Sequence, residues 1–105
     1  MVNIFLETAL VYTRRVKYIS KYYILQVVKE DGELYFINRC GILGEEPSIS
    51  KEKYRTYKRC GRRYQGIKND LLDSGYSVCH LEDIMYATGR CSIDDFHYFT
   101  SITHD

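Results

Sequence analysis

Lys51, Lys53, Arg55, Lys58, Arg59, Arg62, Arg63 and Lys68 fall within nineteen residues that hold Glu52 as their one acid, so residues 51 to 69 carry a net charge of +7. The flanks differ sharply: residues 1 to 50 are neutral and residues 70 to 105 carry −6. Guanidinium and ammonium groups at this density make no bonds by themselves. They neutralise anions, either a nucleic-acid backbone or an acidic protein face. Lys51, Arg55, Lys58, Arg59, Arg62 and Arg63 are therefore the candidate nucleic-acid-binding residues. The competing reading is a solvated helix face that the acidic tail neutralises within the fold.

The remaining reactive side chains form no comparable pattern. Cys40, Cys60, Cys79 and Cys91 are widely spaced, which suits four separate half-buried thiols in a reducing compartment. The N-terminus has no basic segment ahead of its apolar residues, and Glu7 interrupts them, so a secretory signal is not expected and the cytoplasm is the expected location. The best metal set, Cys79, His80, Cys91 and His97, departs from the paired spacing of zinc fingers, and no metal or other cofactor is expected. A thiol nucleophile served by His80, His97 or His104 has no local support. Neither phosphate-loop pattern of glycines occurs, since Cys60-Gly61-Arg62-Arg63 lies inside a helical repeat. A non-enzymatic binding protein is the expectation.

These residues need elements to hold them. The chain has 105 residues, 45% of them hydrophobic, with one proline, eleven tyrosines and no tryptophan, a composition that fits one α+β domain over residues 1 to 105. Glu7, Arg14, Lys21 and Lys29 break up the apolar first third, leaving no stretch long enough for a membrane helix. Residues 2 to 12 are apolar without a clean period and read better as a strand than a helix. Tyr22 to Val28 is a β-branched and aromatic run, Asp31-Gly32 marks a tight turn, and Leu34 to Cys40 returns antiparallel, giving a hairpin over about 21 to 40. Within it Leu34, Phe36 and Asn38 should face one side, and Tyr35, Ile37 and Arg39 the other.

Pro47 should end any strand nearby. Ser50 then reads as the N-cap of one main helix over about 51 to 73, whose apolar stripe is Tyr57, Cys60, Tyr64, Ile67 and Leu71. Lys51, Arg55, Lys58 and Arg62 repeat on the opposite side with Arg59 beside them, so the basic stripe should point away from the core. Short C-terminal elements complete the expected fold: a short final strand within 76 to 79, a helix over 81 to 88 ended by Gly89, and a last helix over about 93 to 102 capped by Ser92.

Lys21-Tyr22-Tyr23-Ile24-Leu25-Gln26-Val27, then Asp31-Gly32, then Tyr35-Phe36-Ile37-Asn38-Arg39-Cys40-Gly41-Ile42-Leu43-Gly44 resembles the core of the WGR domain over about residues 20 to 78. In that family a Tyr-x-Leu-Gln strand, a hairpin and a Trp-Gly-Arg-Val-Gly motif precede a helix. Here Cys40 stands in place of the tryptophan and Ile42 in place of the arginine. The resemblance implies a non-catalytic DNA- or RNA-associated module of the kind that accompanies poly(ADP-ribose) polymerases. The residues themselves support such a module, with phosphates on the basic stripe and nearby tyrosines stacking bases or packing on sugars. The alternative is a small phage-encoded regulator, anti-CRISPR-like, that inhibits a host protein or nucleoprotein complex by protein-protein binding. Stand-alone size, tyrosine content and the paired basic and acidic regions suit that reading.

Overall fold

The computed structural model describes residues 2–15, 18–90 and 99–104. Six strands, β1 (Val2–Arg15), β2 (Tyr18–Glu30), β3 (Glu33–Ile42), β4 (Ser48–Tyr54), β5 (Ser77–Cys79) and β6 (Phe99–His104), form one sheet in the order β5-β1-β2-β3-β4-β6. All neighbours are antiparallel except β4 and β6, which run parallel. Two helices, α1 (Tyr57–Asp73) and α2 (Leu81–Thr88), complete the described chain. Among the described residues no helix is long and apolar enough to cross a membrane.

The helices lie against opposite faces of the sheet. Leu10, Leu25, Val27 and Phe36 meet Cys60 and Tyr64 of α1, while Ala9, Val11, Tyr22, Ile24, Ile37 and Ile49 belong to the cluster that holds Ile84 of α2. This accounts for the nearly continuous apolar run of β2, because a strand covered on both sides has no solvent face to mark with polar residues. The one polar residue deep in that run, Gln26, is 2% exposed. It donates to Glu7 at 2.5 Å and accepts from Arg39 at 2.6 Å, which offsets the cost of its burial.

The hairpin over about 21 to 40 forms as expected. Asp31 and Gly32 both take positive φ, 52° and 82°, the backbone that lets two residues reverse a twisted strand pair. Phe36 faces α1, and Tyr35 and Ile37 face the α2 side, as the alternation requires. The first apolar segment is a strand. Between Ile4, opposite Val28, and Leu6, opposite Val27, Phe5 is an extra residue, and this bulge turns it toward α1, where its ring meets Tyr57 at 5.7 Å.

Three expectations are corrected. The main helix begins at Tyr57 with Thr56 as its cap, not at 51 with Ser50. Residues 48 to 54 form β4, because Ser48, Ser50, Glu52 and Tyr54 alternate with Ile49, Lys51 and Lys53 and the strand pairs with β3 from Cys40 to Leu34. The strand within 76 to 79 exists as β5, but it lies on the β1 edge and is not the last strand. The last helix fails where it can be checked: Phe99 to Ile102 belong to β6, whose place beside β4 is a long-range pairing that local capping signals do not report. Ser92 and residues 93 to 98 lie outside the described residues.

Candidate anion-binding site

The apolar stripe of α1 explains its seat. Cys60 and Tyr64 are buried, with Ile67 and Leu71 partly so. The Tyr64 hydroxyl shares a hydrogen bond with the Thr8 hydroxyl, and its ring meets Phe36 edge-on at 6.4 Å. These contacts fix the rotation of the helix about its axis. Lys58, Arg59, Arg62 and Arg63 are thereby left exposed.

Arg59, Arg62 and Arg63 line a shallow groove of about 370 Å³ with Tyr54, Gly66, Ile67 and Asp70. Gly66 leaves it open, since a Cβ built there would meet no heavy atom within 4 Å. Glu52 organises the sheet side. Its carboxylate accepts from Arg63 at 3.1 and 3.3 Å and from the Tyr54 hydroxyl at 2.9 Å. The Glu52 bond raises the Arg63 pKa, while burial, reinforced by Glu52, pushes the Tyr54 phenol up to about 12. Both groups hold their protons, and Arg63 is partly neutralised.

The six expected residues separate. Lys58, Arg59, Arg62 and Arg63 come together on α1, and Arg55 is exposed in the bend just before it. Lys51 does not join them. It lies opposite Ile37 and therefore on the α2 side of the sheet, where it pairs with Glu30 at 2.8 Å and covers the Tyr35 ring at 4.3 Å. Lys53 is likewise paired with Glu33 at 3.2 Å. Among the described residues, the acids paired with Lys51, Lys53 and Arg63 come from the hairpin and β4. From the stretch after residue 69, Asp70 is the acid at the groove. Sequence reasoning missed Glu52 and Tyr54 as site residues; alternation through 48 to 54 was the signal that places both on the α1 side.

The local electrostatics of α1 run against the usual rule. Thr56 caps it by accepting from the Arg59 N–H at 3.3 Å, but no acid stands in the first turn, and Lys58 and Arg59 add cations to the positive end of the helix dipole. In α2 the rule holds: Glu82 and Asp83 occupy the first turn, and Asp83 accepts from the His80 N–H at 3.2 Å. The N-terminal half of α1 thus concentrates positive potential from side chains and backbone together.

No group of three or more metal-ligating side chains occurs among the described residues. Burial raises the pKa of Cys40 and pushes Cys60 and Cys79 up to about 11, away from the thiolate form a nucleophile needs. Comparison with protein-family models, curated proteins and solved structures finds no significant match in any of the three. None of the three supports the resemblance to the WGR domain; at its two signature positions Cys40 is half-buried and Ile42 is exposed.

Proposed function

We propose that this chain is a non-catalytic module that binds nucleic acid through the phosphate backbone, using Lys58, Arg59, Arg62 and Arg63 of α1 with Arg55 beside them. One observation carries the reading: cations crowd the positive end of α1, where they oppose helix formation, while α2 of the same chain follows the ordinary rule. Local choices that work against the fold concentrate at functional positions. An anion held there relieves the repulsion and meets both the guanidinium groups and the dipole. Tyr54 in the groove and Tyr57 at the helix start supply ring surface for a base or sugar beside the phosphates. The WGR-like kinship is a compatible proposal about origin, and Lys51 belongs to the structure of the sheet rather than to the contact.

The alternative, a protein-directed regulator of the anti-CRISPR-like kind, is favoured by Tyr86, which is 92% exposed on α2 with no packing among the described residues to explain it. Binding to duplex and single-stranded DNA and RNA across a salt series separates the two. The module reading expects steep salt dependence, with the slope of log affinity against log salt shallower by about 2 to 3 in a Lys58→Ala, Arg59→Ala, Arg62→Ala variant. Absence of binding at low salt overturns it and leaves a protein target as the leading idea.

A further inference from the structure

The outer edge of β1 is only partly used. β5 pairs with Ala9, Leu10 and Val11, and among the described residues nothing pairs with the edge before them. Val2 to Glu7 therefore present a row of backbone donors and acceptors some 20 Å long, a template for another strand. Native edges are usually blunted with lysine, proline, an inward-pointing charge or a bulge; Val2-Asn3-Ile4-Phe5-Leu6 holds none of the first three and carries only the bulge at Phe5. Large apolar side chains are exposed along it on both faces: Val2 at 53% and Ile4 at 52% on the α2 side, Phe5 at 46% beside Tyr57 at 47% on the α1 side. A lone exposed apolar residue is ordinary. Three along one unpaired edge, on both faces and with Tyr57 of α1 beside them, are what edge-to-edge pairing buries.

We propose that two copies of this chain associate through this edge, Val2–Leu6 of one running antiparallel to Val2–Leu6 of the other and continuing the sheet. The segment is self-complementary. A two-fold axis at Ile4 sets Ile4 against its own copy and gathers Phe5 and Tyr57 of both copies on the α1 side. It also keeps the two Glu7 carboxylates about 20 Å apart at opposite ends of the contact. The β5 strand bounds the pairing at one end, and the two-fold relation uses the same edge of both copies, so the contact closes at two copies instead of propagating. Because the axis stands perpendicular to the sheet, both α1 helices lie on the same side. Each starts at Tyr57 beside the contact, so the Arg55 and Lys58 cations of the two copies come onto one continuous surface. The pairing does not depend on the nucleic-acid reading and is tested without nucleic acid.

Sedimentation equilibrium of the full chain over a wide concentration range is expected to reach twice the 12.4 kDa chain mass. Ile4→Lys, at an exposed position, is expected to remain a monomer with an unchanged circular dichroism spectrum. Tyr86→Lys, at a still more exposed position away from the edge, is expected to dimerise like the parent. Amide exchange on the unaltered chain supplies a readout free of folding effects, since amides within 2 to 6 should slow as concentration rises while those of α2 do not. A parent monomeric throughout, an Ile4→Lys protein that dimerises as the parent does, open-ended assembly, or exchange in 2 to 6 that ignores concentration each overturns the proposal.

Discussion

Cys60 is fully buried on the inner face of α1, and withdrawal from water pushes its thiol up to about 11 from an ordinary value of 9.0. The unfolded chain therefore loses this proton first as pH rises, which favours unfolding. Stability from this group is complete below pH 9 and is lost as pH climbs through about 11, an effect of about 2 to 3 kcal/mol. Cys79, half-buried and raised in the same way, adds a smaller share. Denaturant unfolding is expected to show a midpoint that falls from pH 9 upward, and Cys60→Ala should flatten that fall. Gly41 carries a steric argument. A Cβ there would stand 2.6 Å from the Tyr22 hydroxyl oxygen, and Tyr22, at 1% exposure, has no room to move. Gly41→Ala should cost about 1 to 3 kcal/mol in urea unfolding.

At the level of elements, α1 holds the conflict between folding and binding. Thr56 is its N-cap and Arg59 its third residue, the position at which a glutamate would complete a reciprocal cap with the threonine. Arg59→Glu removes a cation from the positive end of the dipole and supplies that partner. It is expected to raise stability by about 0.5 to 1 kcal/mol while weakening nucleic-acid binding, with thermal unfolding and the binding assay read on the same preparation. A variant that binds as well as the parent would show that the first turn takes no part. The hairpin carries no such conflict: Asp31-Gly32, the alternation of Leu34 to Cys40 and the packing on both faces all favour the same structure, and it was the part of the fold most legible from residues alone.

Across the whole molecule, the charge blocks along the chain do not map onto charge blocks in space. Lys51 and Lys53 are drawn to the hairpin acids Glu30 and Glu33, and Arg63 to Glu52, so three of the eight cations of residues 51 to 69 serve the sheet. Lys58, Arg59, Arg62 and Arg63, the last of them also tied to Glu52, are exposed on α1 and form the surface on which the binding prediction rests. Pairing at the β1 edge would double that surface without adding a residue. Dimerisation and nucleic-acid affinity are separate measurements, and the Ile4→Lys protein links them: if both proposals hold, it binds more weakly than the parent although its basic residues are intact.

The residues by themselves determined the α+β class, the hairpin with its turn and facing, the apolar stripe of α1, and α2 with its stop at Gly89. Each depends on neighbours within a few positions, where period and backbone preference act directly. What stayed out of reach was decided by partners distant in sequence. Residues 48 to 54 carry a basic repeat that also fits a helix, and only the β3 edge made them a strand. Phe99 to His104 became a strand because β4 offered its other side. The candidate site divided for the same reason: α1 kept Lys58, Arg59, Arg62 and Arg63 together through its own periodicity, whereas Lys51 went to the far side of the sheet once pairing with Ile37 set which way it points.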